Sequence, residues 1–376
     1  MKNLAYQFLC ACLRGDANAA RASTIRSLAD WECVLRRARD EFLSPLLHSR
    51  INQLELGPAV PPDISKFLFA VEELNQERNN LILNEVRLAA RLLNEVGIEP
   101  VLLKGVAYLT LGVYPNPATR YMGDVDLLVS ESQVQTAVDI LTRNGFETDT
   151  SDQFANFRHH LPPVRRPGSV FIEIHHSLCL GKCGSLLPPR EMIAQSVRCD
   201  LDGIRVRVPC PEDLFTHLVM HSQMEHPYNE RIWPPLRAMY DLLLVLHRFR
   251  DVIDWASIER RFRAARRFGV LVLHLSQVSE ALGIAAPLQL HMNGLTRLRW
   301  FRRRFLRRMP ALRFIDPIYM FSTVLIRRMR VLRVMVRNPN GLLHLGRQLL
   351  TGGVYRRFAT DVWRAAGDSG LSKRTS

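Results

Sequence analysis

Arg120-Tyr121-Met122-Gly123-Asp124-Val125-Asp126-Leu127-Leu128-Val129 alternates acid and apolar bulk from Asp124 to Leu128. A period of two predicts a strand, whose successive side chains point to opposite faces. Asp124 and Asp126 therefore share one face, several ångströms apart. Like charges this close are unfavourable unless a cation neutralises them. Hard oxygen ligands of this kind suit Mg²⁺, provided a third acid joins from a neighbouring strand. Alone, an Asp-x-Asp pair more often describes a solvated strand edge, and it is Lys104-Gly105 and Arg120 just upstream that turn the reading to a site.

Upstream, Val101–Leu103 reads as a short strand, and Lys104-Gly105 opens a helix through Gly112. A glycine at that turn lets backbone N–H groups approach a phosphate, although the same pair also makes an ordinary strand-to-helix turn. Arg120, four residues before Asp124, is placed to bring a guanidinium to a triphosphate. Downstream, Val170–His175 is a second alternating strand. Within it Glu173 is the expected third carboxylate, with Asp149 or Asp152 as alternatives. His159-His160 and His175-His176 flank Glu173. His175 falls on the same side as Glu173, where it would orient the acid or touch phosphate. Ile204–Val208 is a candidate third strand.

The run Leu102-Leu103-Lys104-Gly105-Val106-Ala107, then Arg120-x-x-Gly123-Asp124-Val125-Asp126-Leu127-Leu128-Val129, then Ile172-Glu173-Ile174-His175, resembles the nucleotidyltransferases of the DNA-polymerase-β superfamily. Within it the chain is similar to a bacterial nucleotidyltransferase group related to abortive-infection toxin transferases. The likeness covers about residues 1–285 and includes the Asn-x-x-Arg-Asn stretch Asn75–Asn79. It implies an α+β fold: a minimal polymerase-β-like nucleotidyltransferase core, a mixed sheet with helices, flanked by N- and C-terminal helical regions. It also implies two-metal transfer of a nucleoside monophosphate from an NTP to a hydroxyl, with release of pyrophosphate. Asp124, Asp126 and Glu173 would hold the two Mg²⁺ ions. Lys104, Gly105, Arg120 and His175 would meet the nucleotide, expected to be ATP. Val106 stands where family members carry a second small residue. The residues name no acceptor, and a catalytically idle scaffold or a transferase acting on a peptide or glycan are the alternatives.

The rest of the chain frames this core. Helical spacing before Gly97 predicts an N-terminal helical region, 1–97, with a long helix from Ile64 to Val96. The catalytic domain is expected at 98–210, a helical domain at 211–290 and a basic tail at 291–376. That tail holds 19 of the 51 Lys and Arg residues and three of the 36 acids, so the remainder is close to neutral. Thirteen arginines lie between Arg297 and Arg337, interleaved with Trp300, Phe301, Phe305, Phe314 and Tyr319. Such a tail suits an anionic membrane surface, a partner protein or RNA. The apolar piece Phe314–Ile326 leans the expectation toward membrane or partner.

Composition is that of a globular protein, 47% hydrophobic and 23% charged, which excludes collagen-like and disordered classes. Seven scattered cysteines point to thiols in a reducing cytosol. The first residues read as a helix rather than a secretory signal, and no apolar run is long enough to span a bilayer. The expected location is cytoplasmic, with the tail able to rest on the inner membrane face. His217-x-x-x-His221 fits either a packed pair or two zinc ligands. Asp241 reads as a partner for Arg237 or as an acid facing the cleft, not as a catalytic group.

Overall fold

A computed structural model describes residues 2–23, 25–149, 160–179, 184–225, 232–309, 312 and 329. Asp152, His159 and the piece Phe314–Ile326 lie outside the described residues, as does most of the tail. The chain divides into two compact units, Met1–His226 with Pro235–Asn293, and Pro227–Pro234 with Gly294–Ser376.

The first unit opens with α1 (Lys2–Arg14), α2 (Ala17–Ala22), α3 (Leu28–Asp40), α4 (Ser44–Gln53) and α5 (Pro62–Glu95). Ser27 and Asp30 form a reciprocal capping box that starts α3, satisfying two backbone donors at once. Pro62 sits at the start of α5, where a missing N–H costs nothing. Helix α5 has 34 residues and is about 51 Å long at 1.5 Å per residue. Its buried stripe includes Leu68, Asn75, Asn79, Ile82, Val86, Ala89 and Leu93, whereas Phe67, Leu74 and Leu81 face outward. Two asparagines in the middle of a buried helical stripe need partners, and they find them at the functional site.

The sheet follows as β1 (Val101–Leu102), α6 (Lys104–Thr110), β2 (Asp124–Leu128), α7 (Val134–Arg143), β3 (Glu147–Thr148), β4 (Val164–Arg165) and β5 (Phe171–His175). Then come α8 (Pro189–Gln195), β6 (Val197–Leu201) and β7 (Ile204–Val208). The seven described strands form one mixed sheet in the order β3-β4-β5-β2-β1-β7-β6. Its centre is β2, parallel to β5 and antiparallel to β1, and β1 is parallel to β7. Helices α5 and α7 pack on each other and on β7 and β5 respectively. Asn94 near the end of α5 pins that helix to β7 by exchanging two 2.9 Å hydrogen bonds with the Arg205 backbone.

The unit closes with α9 (Pro211–Met220), a π-helical turn at His221–Glu225, α10 (Leu236–Phe249), α11 (Trp255–Ala264) and α12 (Phe268–Leu282). Val34, Leu68, Val125, Leu127, Ile172 and Val206 have no exposed surface, so the core runs from the front helices into the sheet. Each such aliphatic side chain stabilises the fold by about 1.5–3 kcal/mol relative to exposure. The fold is α+β with helical flanks, as expected. No helix among the described residues is long and apolar enough to cross a membrane.

The second unit contains α13 (Gly294–Arg308), the described part of the basic tail. Along it Arg304 lies over the Trp300 ring at 4.8 Å, and Phe301 stacks on Phe305. Both contacts follow from the i, i+4 spacing of a helix.

Candidate active site

The site begins with an irregular loop held by a helix. Between α6 and β2 the chain makes one 3₁₀ turn, Pro117–Thr119, and little other regular structure. Its carbonyls need donors, and α5 supplies them. Asn75 Nδ2 donates to the Ala118 carbonyl at 2.5 Å. Asn79 Nδ2 donates to the carbonyls of Pro117 (2.7 Å) and Arg120 (2.8 Å). Arg78 Nε donates to the Met122 carbonyl at 3.1 Å. The Asn-x-x-Arg-Asn stretch therefore fixes the loop that delivers Gly123 and Asp124 to the start of β2.

Strand register does the rest. β2 and β5 run parallel with Asp126 opposite Glu173 and Leu128 opposite His175. The period of two places Asp124, Asp126, Glu173 and His175 on one face. The Leu103 N–H bonds to the Asp126 carbonyl at 3.0 Å, so Lys104 emerges beside that aspartate. Lys104 Nζ donates to Asp126 Oδ1 at 2.7 Å, and His175 Nε2 meets the same oxygen at 2.8 Å. Glu173 Oε2 lies 3.3 Å from His175 Nε2 and 3.6 Å from His160 Nε2. Asp126, Glu173 and His175 each offer a ligand atom within 4.8 Å of the others. Asp124 stands at the exposed end of the row.

Two backbone features fit this crowding. Lys104 has φ +49°, a left-handed conformation rare for a lysine and costing on the order of 1–2 kcal/mol. A Cβ on Gly105 would come within 2.8 Å of Met122 Cγ, so the turn can close against the loop because that residue is glycine.

The charges on this face are strongly interdependent. Burial would raise the Asp126 carboxyl, but the Lys104 charge and the His175 hydrogen bond outweigh it and hold Asp126 well below the usual carboxylate range. Burial likewise opposes ionisation of Glu173, and the His175 hydrogen bond turns the balance to a lowered value. His175 is shifted upward, because its bonds to Asp126 and Glu173 overcome burial. Asp124 moves the other way: burial and the neighbouring Asp126 charge raise it.

A group whose pKa is raised on folding adds stability that is fully present below its unfolded value and lost as pH rises through its folded one. Asp124→Asn is therefore expected to raise the melting temperature of the metal-free protein at about pH 7 and to leave it unchanged near pH 3. Thermal melts at the two pH values check this. A lower melting temperature at neutral pH would mean that Asp124 is held by partners rather than repelled.

Arg120 is placed differently. Its side chain is buried, with Nη2 donating to Asp241 Oδ2 at 3.1 Å and Nε 3.1 Å from Asp241 Oδ1. The guanidinium sits between the rings of Tyr108 (5.8 Å) and Tyr114 (5.7 Å), and Tyr114 Oη donates to Asp241. The fold thus places Asp124, Asp126, Glu173 and His175 on one face of β2 and β5, with Lys104 and Gly105 beside Asp126. It sets Arg120 into a buried pair with Asp241 instead of beside the carboxylates. Asp241, expected to pair with Arg237 or to face the cleft, is instead the partner of Arg120, which nothing local in the sequence names.

His217 of α9 is buried, and burial with the nearby Lys104 charge pushes it down to about 3, so it stays neutral. Its ring centroid is 6.5 Å from that of His221. Neither joins Asp126, Glu173 and His175 as a group of possible metal donors among the described residues.

The model of a protein family described as "Uncharacterised nucleotidyltransferase" matches residues 27–283. The chain belongs to that family. The match spans α3 to α12 and so contains every residue of the site. The crystal structure of an antigenic nucleotidyltransferase-like protein from Paracoccidioides brasiliensis is similar at 18% identity, covering 54% of this chain and 93% of that one, with a TM-score of 0.34. A TM-score this low leaves the assignment resting on the family match. None of the curated proteins compared with the chain matches it.

Proposed function

We propose that this nucleotidyltransferase moves the nucleoside monophosphate of an NTP, ATP first among them, onto a hydroxyl acceptor with divalent metal at the acid row. The observation that carries this reading is the β2–β5 register, which sets Asp126 beside Glu173 on one face with Lys104 at the same carboxylate.

The donor set fits a divalent ion. Two carboxylates held ionised suit Mg²⁺, and His175 adds a nitrogen donor that Mn²⁺ also accepts. Asp126 and Glu173 would hold the metal, Asp124 would join from the exposed end, and His175 would ligate or orient the acids. Metal bound there supplies neutralisation of phosphate charge and alignment of the reacting oxygens. Lys104 and the backbone at Gly105 meet the phosphates. The acceptor oxygen bonds to the α-phosphorus, the bond to the bridging oxygen breaks, and pyrophosphate leaves with the electron pair. Glu173 accepts a hydrogen bond from the acceptor hydroxyl, whose proton passes by it to solvent. For Arg120 to touch phosphate it would first have to leave Asp241, so its part is to brace the wall behind the acids. The Arg-rich tail is read as the docking element, for an anionic membrane face, a partner protein or RNA, on a cytoplasmic enzyme.

The test is incubation with each NTP, labelled at the α- or the γ-phosphate, with cell extract and either Mg²⁺ or Mn²⁺. Label should pass to an acceptor from α-labelled NTP and not from γ-labelled NTP, and EDTA should stop it. Transfer of the γ label alone would make the protein a kinase and sink the reading.

A further inference from the structure

The first unit holds a cation and an aromatic stack that the reading above leaves unused. Arg237, in the first turn of α10, lies with its guanidinium 4.8 Å from the centroid of the Phe42 ring. Phe42 stacks on Tyr121 at 5.2 Å with the planes 17° apart, and Arg78 covers the Tyr121 ring at 5.3 Å. Tyr121 reaches toward Gly123, its Cε1 3.9 Å from where a Cβ on that glycine would be, and Gly123 directly precedes Asp124. The row Arg237–Phe42–Tyr121 thus ends at the exposed end of the acid row. Phe42 has φ +56° because it ends α3, its N–H bonding to the Arg39 carbonyl and the Leu43 N–H to the Ala38 carbonyl, and its ring is 47% exposed. Here the ring carries a guanidinium. Glu41, the preceding residue, accepts from the Leu236 N–H at 2.9 Å and so ties the two segments together.

We infer that Arg237, carried on the Phe42–Tyr121 stack, is the guanidinium that grips the triphosphate at the Asp124 end of the site. The inference rests on the nucleotidyltransferase reading and deepens it. Lys104 flanks the carboxylates at Asp126, and the Arg237–Phe42–Tyr121 row reaches the site at Gly123, next to Asp124. A triphosphate carries its charge along its length, and a cation at each end of the acid row is complementary to that shape. Arg120 is buried against Asp241, while Arg237 is half-buried on a flexible stem at the site's open end. Guanidinium suits this position better than ammonium, because it can stay on an aromatic face and still present a fork of donors to phosphate oxygens.

Isothermal titration with non-hydrolysable analogues of the four NTPs and with the four NMPs, all with Mg²⁺, tests it on the full-length protein. Arg237→Ala should weaken binding of the preferred NTP analogue about ten- to hundredfold and leave NMP binding unchanged. Arg237→Lys should fall between, and Phe42→Leu should weaken the NTP analogue several-fold by removing the ring that holds the guanidinium. A purely structural Arg237 would move NTP and NMP affinities together, and that outcome would overturn the inference, as would wild-type NTP affinity in Arg237→Ala. Wild-type protein that binds none of the four analogues would instead remove the nucleotidyltransferase reading on which it stands. Melting curves show whether each variant is folded before it is titrated.

Discussion

Asp126→Asn is expected to end transfer and to weaken divalent metal binding by more than about a hundredfold, beyond the loss typical of removing an outer partner of a ligand. Asp126 is buried, receives both Lys104 and His175, and lies opposite Glu173, so no neighbouring acid can take its place. The substitution should also lower stability at neutral pH. A carboxyl whose pKa is depressed on folding contributes stability above its unfolded value and loses it as pH falls through its folded one. The asparagine variant would also leave Lys104 and His175 with less charge compensation. Asp124→Asn carries the opposite sign, though the two residues are two positions apart on one strand. Manganese titration followed by electron paramagnetic resonance reads metal binding independently of turnover. Near-wild-type binding and transfer in folded Asp126→Asn would place the site elsewhere.

Arg120→Ala is expected to destabilise the protein by about 3–5 kcal/mol, the cost of leaving a buried charge without its partner. Asp241 would then sit in the interior with Tyr114 alone donating to its carboxylate among the contacts described above. Urea denaturation gives the number. Arg120→Ala combined with Asp241→Asn should recover part of the loss, because the orphaned charge is gone. A stable Arg120→Ala whose defect is confined to nucleotide affinity would mean that the pair opens readily, and that Arg120 reaches phosphate as its sequence position suggests.

What could be read from the sequence follows physical lines. Ile204–Val208 alternates because one face is packed, and Asp124–Leu128 and Phe171–His175 alternate because one face carries the polar groups of the site, so each was legible. The long helix was legible to within two residues at its start and one at its end. Strand β6, Val197-Arg198-Cys199-Asp200-Leu201, was not, because it pairs on one side with β7 alone and is largely solvated, which leaves no apolar rhythm. The two-residue strands β3 and β4 are too short to have a period. At the site, local spacing named the acids and Lys104. It missed that Lys104 would sit against Asp126, and that Arg120 would turn to an acid 121 residues away. A long-range ion pair leaves no mark on a single sequence, since either partner alone looks like any charged residue.

The asparagine clamp on α5 has a consequence for how mutational data on this protein would look. In a deep mutational scan selected for activity, Asn75 and Asn79 would score with the acids, although asparagine is a residue that helices disfavour and both sit about 45 residues before Asp124 on an element that carries no ligand. Read as a map of chemistry, such a scan would enlarge the active site by a helix. Sorting positions by whether the loss persists at low temperature would separate them, since amides that hold a loop in place fail with heat and carboxylates that hold a metal fail at every temperature.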